Sequence, residues 1–240
     1  MKTNSYSWFR LFCGCFCLCL LLSACTGLPK FTIRDDGGLY NTKSKQSYAS
    51  APYCYRAYTY NTNDVVGVYV EWDGTEQNLY RVTGFGNYYC NAYYEIYLPE
   101  GEKLPTLSEL HVTKIDVCKS DEQLYADASY TSADDIADIL DTFQGVAIPY
   151  SRISRFADGY YLILFADIDL GLILELEYLT YEEPLVLYEP LNADGSAPVL
   201  YGVEPTIEEV SGEQVAVYNL GKYLLLDRSA GVCYIAPELL

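Results

Sequence analysis

Two carboxylates two residues apart form the arrangement in this chain best suited to acid–base chemistry. Glu175 and Glu177 lie in an alternating stretch, so on a strand their side chains share one face with about 7 Å between their Cα atoms. A carboxylate pair at such a separation can act as acid and base in glycosidic bond hydrolysis. Chance pairs are expected, however, in a chain with 33 acidic residues. A carboxylate-dependent, glycosidase-like hydrolase is therefore the alternative function, and our main expectation is that the chain is not an enzyme.

Other catalytic and cofactor motifs are missing from the sequence. His111 is the only histidine; it opens an alternating stretch, and we expect it to be structural or exposed. Gly84-Phe85-Gly86 starts like a dinucleotide-binding motif, but Tyr89 occupies the place of the third glycine, and no P-loop or G-x-S-x-G occurs. With one histidine and no C-x-x-C spacing beyond residue 25, we expect no metal and no cofactor.

Tyrosine is abundant, with 26 residues in the chain. Many of them crowd two stretches, 53–60 and 88–97. Exposed tyrosine rings can stack on a glycan or hold an envelope protein through their apolar body and polar tip. The same residues also suit half-buried strands, with the ring packed and the hydroxyl in water. The candidate binding surface consists of Tyr58, Tyr60, Trp72, Tyr89 and Tyr93.

Four cysteines lie beyond residue 25: Cys54, Cys90, Cys118 and Cys233. In an exported protein they can be oxidised, and four cysteines allow three disulfide connectivities. Cys90 falls in an alternating pattern where a buried thiol serves equally well. Disulfides among the four and buried free thiols are both compatible with the sequence.

The first 25 residues have the order of an export signal. Lys2 and Arg10 precede an apolar run that ends in Leu22-Ser23-Ala24-Cys25. The apolar run with its small pair is shorter than the roughly 20 residues of a membrane-spanning helix. The tetrapeptide resembles the lipobox of bacterial lipoproteins. The resemblance implies cleavage before Cys25, a lipid on its thiol, and anchoring at the extracytoplasmic face of the cell membrane.

The chain is strongly acidic, with a formal net charge of −18. Such a charge repels phosphate backbones, and no lysine or arginine cluster offsets it, so nucleic-acid binding is excluded as an expected function. The folded part should also not adhere to an anionic membrane. We therefore expect attachment through the lipid alone. The expected function is a binding or structural role in the cell envelope, with a glycan or an envelope protein as the partner.

Hydrophobic periodicity predicts an α+β fold, mainly antiparallel strands with one amphipathic helix near 132–145. Ser132 is the expected N-cap, with Asp135 three residues on, and Gly145 is the expected stop. Residues 159–168 and 172–178 read as two strands of a hairpin around Asp169-Leu170-Gly171.

The predicted organisation has three parts. Residues 1–24 form the lipoprotein signal peptide, and residues 25–52, which lack sustained periodicity, form a flexible tether. Residues 53–240 form a strand-rich globular region, in which we expect two lobes, 53–128 and 129–240.

Overall fold

A computed structural model describes residues 27–60, 62–119, 126–143, 148–149, 157–199, 203–228 and 231–240. Its sheets are mainly antiparallel and one short helix accompanies them in these ranges, so the predicted α+β class is confirmed. The helix is α1 (Ala133–Thr142). The strands are β1 (Lys30–Ile33), β2 (Leu39–Asn41), β3 (Ser47–Ser50), β4 (Tyr55–Ala57), β5 (Val65–Val70), β6 (Glu76–Arg81), β7 (Tyr89–Cys90), β8 (Ile96–Pro99), β9 (Lys114–Lys119), β10 (Ala128–Tyr130), β11 (Ile148–Pro149), β12 (Gly159–Asp167), β13 (Leu172–Thr180), β14 (Val186–Pro190), β15 (Thr206–Val210), β16 (Glu213–Asn219), β17 (Tyr223–Asp227) and β18 (Val232–Ile235).

Seven of these strands close into a small barrel. Their order around the barrel is β1-β2-β3-β8-β7-β6-β5, and β1 closes it by pairing in parallel with β5, Phe31 opposite Tyr69. All other pairs in the barrel are antiparallel. The interior is a hydrophobic cluster of buried side chains, namely Phe31, Leu39, Tyr48, Tyr69, Leu79 and Tyr97.

The barrel corrects the prediction of a flexible tether over 25–52. Residues 30–50 supply β1, β2 and β3, and Phe31, Leu39 and Tyr48 are at most 3% exposed. Each of these strands has only three or four residues, too few to show a clear period of two. Burial comes from distant strands that complete the barrel, which a local pattern does not reveal.

A second sheet packs against the outside of the barrel. Its strand order is β10-β9-β12-β13-β17-β18-β11, and β4 also pairs with β13. One face of this sheet joins the outer side of β6, β7 and β8 in the largest hydrophobic cluster, which includes Tyr80, Ile96, Phe165 and Leu174. The predicted hairpin of residues 159–178 lies at the centre of this sheet as β12 and β13.

The second sheet also shows that the division into lobes at residue 128 was wrong. Strand β9 pairs with β12 along six residues, with Ile115 opposite Phe165. Strand β4 likewise pairs with β13, with Tyr55 opposite Leu174. One sheet therefore takes strands from both sides of the proposed boundary.

Helix α1 covers part of the same core. Ile136 and Ile139 are 4% and 8% exposed and belong to the large cluster. Ser132 is the N-cap as expected, but its side chain makes no capping hydrogen bond; its carbonyl oxygen accepts from the Ile136 N–H at 3.0 Å. Gly145, the expected stop, lies outside the described residues. Among the described residues, we find no helix with the length and apolar character needed to cross a bilayer.

A third sheet has three strands in the order β14-β16-β15. The β15–β16 connection is the pair Ser211-Gly212, and both residues have positive φ, 56° and 88°. Two positive φ angles are those of a type I′ turn, which suits the twist of a hairpin. Ala216 and Tyr218 of β16 face the rest of the molecule, where they pack with Leu224 and Leu226 of β17.

Of the two alternatives that the sequence left open for the cysteines, the structure has buried free thiols. Cys90, Cys118 and Cys233 are buried as free thiols. Register explains the separation of one pair. Cys118 and Cys233 lie in one row across five neighbouring strands, through Leu162, Glu177 and Leu226. Four strand spacings amount to about 19 Å, well beyond the roughly 7 Å limit for two bridged Cα atoms.

Burial should make these thiols unreactive in the folded chain. It raises the pKa of Cys90 and of Cys233 to about 12, so both stay protonated at mild alkaline pH. We expect slow reaction with Ellman's reagent in native buffer and fast reaction in guanidinium chloride, in a chain that begins at Thr26 and therefore lacks the five cysteines of residues 1–25. Fast reaction before unfolding, or thiols that appear only after reduction, would contradict the buried-thiol structure.

Candidate functional site

The two carboxylates predicted from sequence lie side by side on the second sheet, on the face away from the large cluster. On β13 the side chains of Leu172, Leu174 and Leu176 are buried. Glu175 and Glu177, at the alternate positions, point to the other face. Each carboxylate side chain is 14% exposed. The alternation of the strand thus places the pair as expected.

Each of these carboxylates is held by an arginine from another strand. Arg56 Nε lies 3.5 Å from Glu175 Oε2. Arg228 makes a two-point ion pair with Glu177, through Nε to Oε1 and through Nη2 to Oε2 at 2.7 Å. The two arginine side chains remain 42% and 45% exposed. The pair is therefore a charge-balanced patch, with two cations next to two anions.

A groove of about 660 Å³ begins beside this patch. It is lined by residues 50–53, 55–56 and 92–96, so one wall is the segment from β3 to β4 and the other is the turn between β7 and β8. Tyr53, Tyr93 and Tyr94 present rings there that are 65%, 62% and 43% exposed. We call it the tyrosine groove. Arg56 lines the groove as well as pairing with Glu175, so groove and patch are continuous.

Asn91 builds the turn that forms one wall of the groove. Its side chain is buried, and its Oδ1 accepts from the backbone N–H groups of Tyr93 at 2.9 Å and Glu95 at 3.1 Å. Its Nδ2 donates to Glu95 Oε2 at 2.6 Å and to Tyr69 Oη at 3.3 Å. Tyr94 takes φ of 66° in this turn. These bonds hold the turn in its conformation without a ligand.

Asn91 also interrupts the alternating pattern around Cys90, which the structure divides between two strands. The Asx-type turn at residues 91–95 separates β7 from β8 and reverses the chain. The asparagine directly after Cys90 was the one residue in the sequence that indicated a turn at this position. Tyr94 and Glu95, which lie in this turn, were missed for the same reason. Tyr53 and Arg56 were missed because they reach the groove only through the pairing of β3 with β8.

The predicted tyrosine surface is only partly assembled. Tyr93 lines the groove, and Tyr60 is next to it, stacked on Tyr80 at 4.3 Å and 5.2 Å from Tyr94 between ring centroids. Trp72 is 78% exposed in the turn between β5 and β6.

The other two members of that surface are half-buried. The Tyr58 N–H bonds the Gly171 carbonyl. Tyr89 was expected at the surface, but its ring contacts Phe31 at 5.8 Å and Tyr48 at 5.1 Å in the barrel. The reason is that neighbouring residues on a strand point to opposite sides, and the side of Tyr89 is the interior of a closed barrel.

Two tyrosines interact with the charged patch, and one of them, Tyr53, also lines the groove. Burial and then a hydrogen bond to Glu177 raise the pKa of Tyr160 to about 12. Burial also raises the pKa of Tyr53, while Arg228 lowers it and Glu177 raises it. These couplings place both phenols close to the Arg228–Glu177 pair. Hydroxyl, carboxylate and guanidinium groups are thus available along one continuous surface, which can hydrogen bond a polyol.

His111 has no place in this site. Its side chain is 80% exposed, with Nδ1 3.9 Å from Asp169 Oδ2. Its backbone N–H donates to Asp167 Oδ2, while Oδ1 of the same carboxylate accepts from the Leu170 N–H. The buried Asp167 therefore supports the β12–β13 turn. Of the two outcomes expected for His111, structural or exposed, the structure has the exposed one.

Glu175 should make stability depend on pH. Burial raises its pKa above the ordinary 4.5, Arg56 lowers it in part, and Glu177 raises it again. The folded chain therefore holds this proton more tightly than the unfolded chain, and folding is penalised once pH rises through the raised pKa. We expect Glu175→Gln to gain stability relative to the parent chain as pH rises above the ordinary carboxyl pKa of 4.5.

Urea unfolding at several pH values checks this expectation, with Glu76→Gln at an exposed strand position as the matched control. A difference between Glu175→Gln and the parent chain that stays constant with pH, or that falls as pH rises, would contradict it.

Comparison with known proteins gives no match: no family model, curated protein sequence or solved structure resembles this chain. Function therefore has to be argued from the site itself.

Proposed function

We propose that this chain is a lipoprotein, held by a lipid on Cys25 at the extracytoplasmic face of a bacterial cell membrane, and that its tyrosine groove binds a glycan. The anchor rests on the lipobox-like Leu22-Ser23-Ala24-Cys25, which lies outside the described residues. The binding role rests on one observation, a groove lined by three exposed tyrosine side chains.

The chemistry of the groove suits a sugar chain. Pyranose rings present apolar C–H faces that stack on aromatic rings, and tyrosine adds a hydroxyl for hydrogen bonding. Arg56 offers donors and Glu95 offers acceptors between the rings. A net charge of −18 disfavours polyanions. The expected ligand is therefore a neutral glycan segment.

Binding by the full chain carrying Cys25→Ser tests the proposal, first on a glycan array and then by calorimetry with the best ligand. Tyr53→Ala and Tyr93→Ala should each weaken binding by roughly three- to tenfold, the effect of one lost aromatic contact. Tyr188→Ala is the matched control, because Tyr188 is 59% exposed on β14 of the third sheet. Absence of any glycan ligand, or unchanged affinity in both groove variants, would overturn the binding role.

The anchor has a separate test. In bacterial cells the parent chain should partition into the detergent phase, and Cys25→Ser should move it to the aqueous phase. Equal partitioning of both chains would overturn the lipid attachment without affecting the groove.

A carboxylate-dependent hydrolase remains the second candidate, because the Glu175 carboxyl has a raised pKa and stands beside an arginine-bound Glu177. Two observations favour binding over hydrolysis. Both carboxylates are engaged by arginines, and neither belongs to the lining of the groove. Release of reducing ends from a bound glycan, lost in Glu175→Gln and Glu177→Gln, would establish the hydrolase instead.

A further inference from the structure

Strand β15 leaves one edge of the third sheet open. It pairs with β16 on one side, and the described residues provide no strand on its other side. All five of its residues are exposed. Ile207 and Val210 are apolar yet 52% and 40% exposed. An exposed edge strand with apolar side chains offers unpaired backbone N–H and C=O groups to an added strand.

The charge of this edge selects what can pair with it. Glu208 and Glu209 sit at its centre and, as neighbours on a strand, point to opposite faces. Residues 156–221 contain no lysine, arginine or histidine. The surrounding segment of the chain therefore supplies no positive charge to balance Glu208 and Glu209. Opposite charges facing each other across two strands stabilise the pair.

A second copy of the chain is a poor partner for the same reason. Antiparallel pairing of two β15 strands about their centre would place Glu208 opposite Glu208. Shifting that centre by half a residue places Glu208 opposite Glu209. Like charges that face each other directly destabilise strand pairing. The acidic pair thus protects the edge from self-association while leaving it open to a basic strand.

We propose that β15 is the docking edge for an extended basic segment of a partner protein, which adds to the third sheet as a fourth, antiparallel strand. The register follows from the side chains. Basic residues face Glu209 and Glu208, and apolar residues face Val210 and Ile207. The segment therefore has two adjacent basic residues flanked by apolar ones, with its main chain bonded to β15.

A labelled, end-blocked peptide Thr-Val-Lys-Lys-Val-Thr tests this proposal by fluorescence anisotropy with the full chain carrying Cys25→Ser. It should bind, whereas Thr-Val-Glu-Glu-Val-Thr should not. The double variant Glu208→Lys/Glu209→Lys should reverse this preference. Its affinity for the lysine peptide should fall at least tenfold, and it should bind the glutamate peptide. Glu182→Lys/Glu183→Lys, at two exposed glutamates outside β15, is the matched control and should leave the preference unchanged.

A lysine peptide with N-methyl groups on alternate amides distinguishes strand addition from simple charge attraction. This peptide keeps both charges but loses main-chain donors, and we expect its binding to be lost. Equal binding of the N-methylated peptide, or an unchanged preference in the β15 variant, would overturn the proposal. Sedimentation showing a dimer abolished by Glu208→Lys/Glu209→Lys would overturn it in favour of a second copy as the occupant.

Discussion

A chain that begins at Ala51 is expected to lose cooperative unfolding, because the missing residues include β1, β2 and β3. Strand β8 would lose its partner β3, and β5 would lose β1, so the barrel could not close. Three buried side chains, Phe31, Leu39 and Tyr48, would leave the interior. At about 1.5–3 kcal/mol each, their loss amounts to roughly 5–9 kcal/mol, which is close to the entire stability of an ordinary domain.

Urea unfolding followed by tyrosine fluorescence and circular dichroism measures this effect. The matched control is a chain that begins at Thr26, which keeps all seven barrel strands and should unfold in one sharp transition. Binding of a hydrophobic dye by the shorter chain would report the exposed interior. If both chains unfold at the same urea concentration, residues 30–50 are a tether after all, and the barrel is wrong.

Truncating Phe165 should produce the second large effect. Phe165 lies in the middle of β12, is 0% exposed, and meets the Phe143 ring edge-on at 5.9 Å between centroids. It therefore joins the central sheet to the end of α1. Phe165→Ala should lower the free energy of unfolding by about 3–5 kcal/mol, because the surrounding β-sheet can collapse only partly into the cavity.

The midpoint of urea unfolding multiplied by the m-value gives this free energy of unfolding. Val199→Ala is the control, since Val199 is 95% exposed, and it should change stability by no more than about 0.5 kcal/mol. A cost below about 1 kcal/mol for Phe165→Ala would be incompatible with a close-packed core between sheet and helix.

The central hairpin could be predicted from sequence because its pattern is both long and local. Nine residues of β12 are mostly apolar, as expected for a strand with neighbours on both sides. Nine residues of β13 alternate cleanly, and Asp167 and Gly171 mark the turn through a side-chain hydrogen bond and a φ of 70°. Helix α1 could be predicted equally well, because the apolar residues Ile136 and Ile139 follow the helical period.

The barrel and the groove could not be predicted in the same way. Strands β2 and β7 have three and two residues. Strands this short have too few residues to show an alternation of apolar and polar side chains. The groove joins residues around Tyr53 to residues around Tyr93, and this contact exists only because β3 pairs with β8. Glu175 and Glu177 were found from spacing, but their arginine partners come from β4 and from the residue after β17.

The direction of β1 has a consequence for any chain held at Cys25. Lys30 begins β1 five residues after Cys25, so the two Cα atoms are separated by at most about 17 Å. The chain enters the barrel at one end, while β3 leaves and the β7–β8 turn lies at the opposite end, since alternate strands run in opposite directions. The barrel would stand on the lipid headgroups with its tyrosines turned outward, positioned to capture polymers arriving from the surroundings rather than molecules embedded in the bilayer.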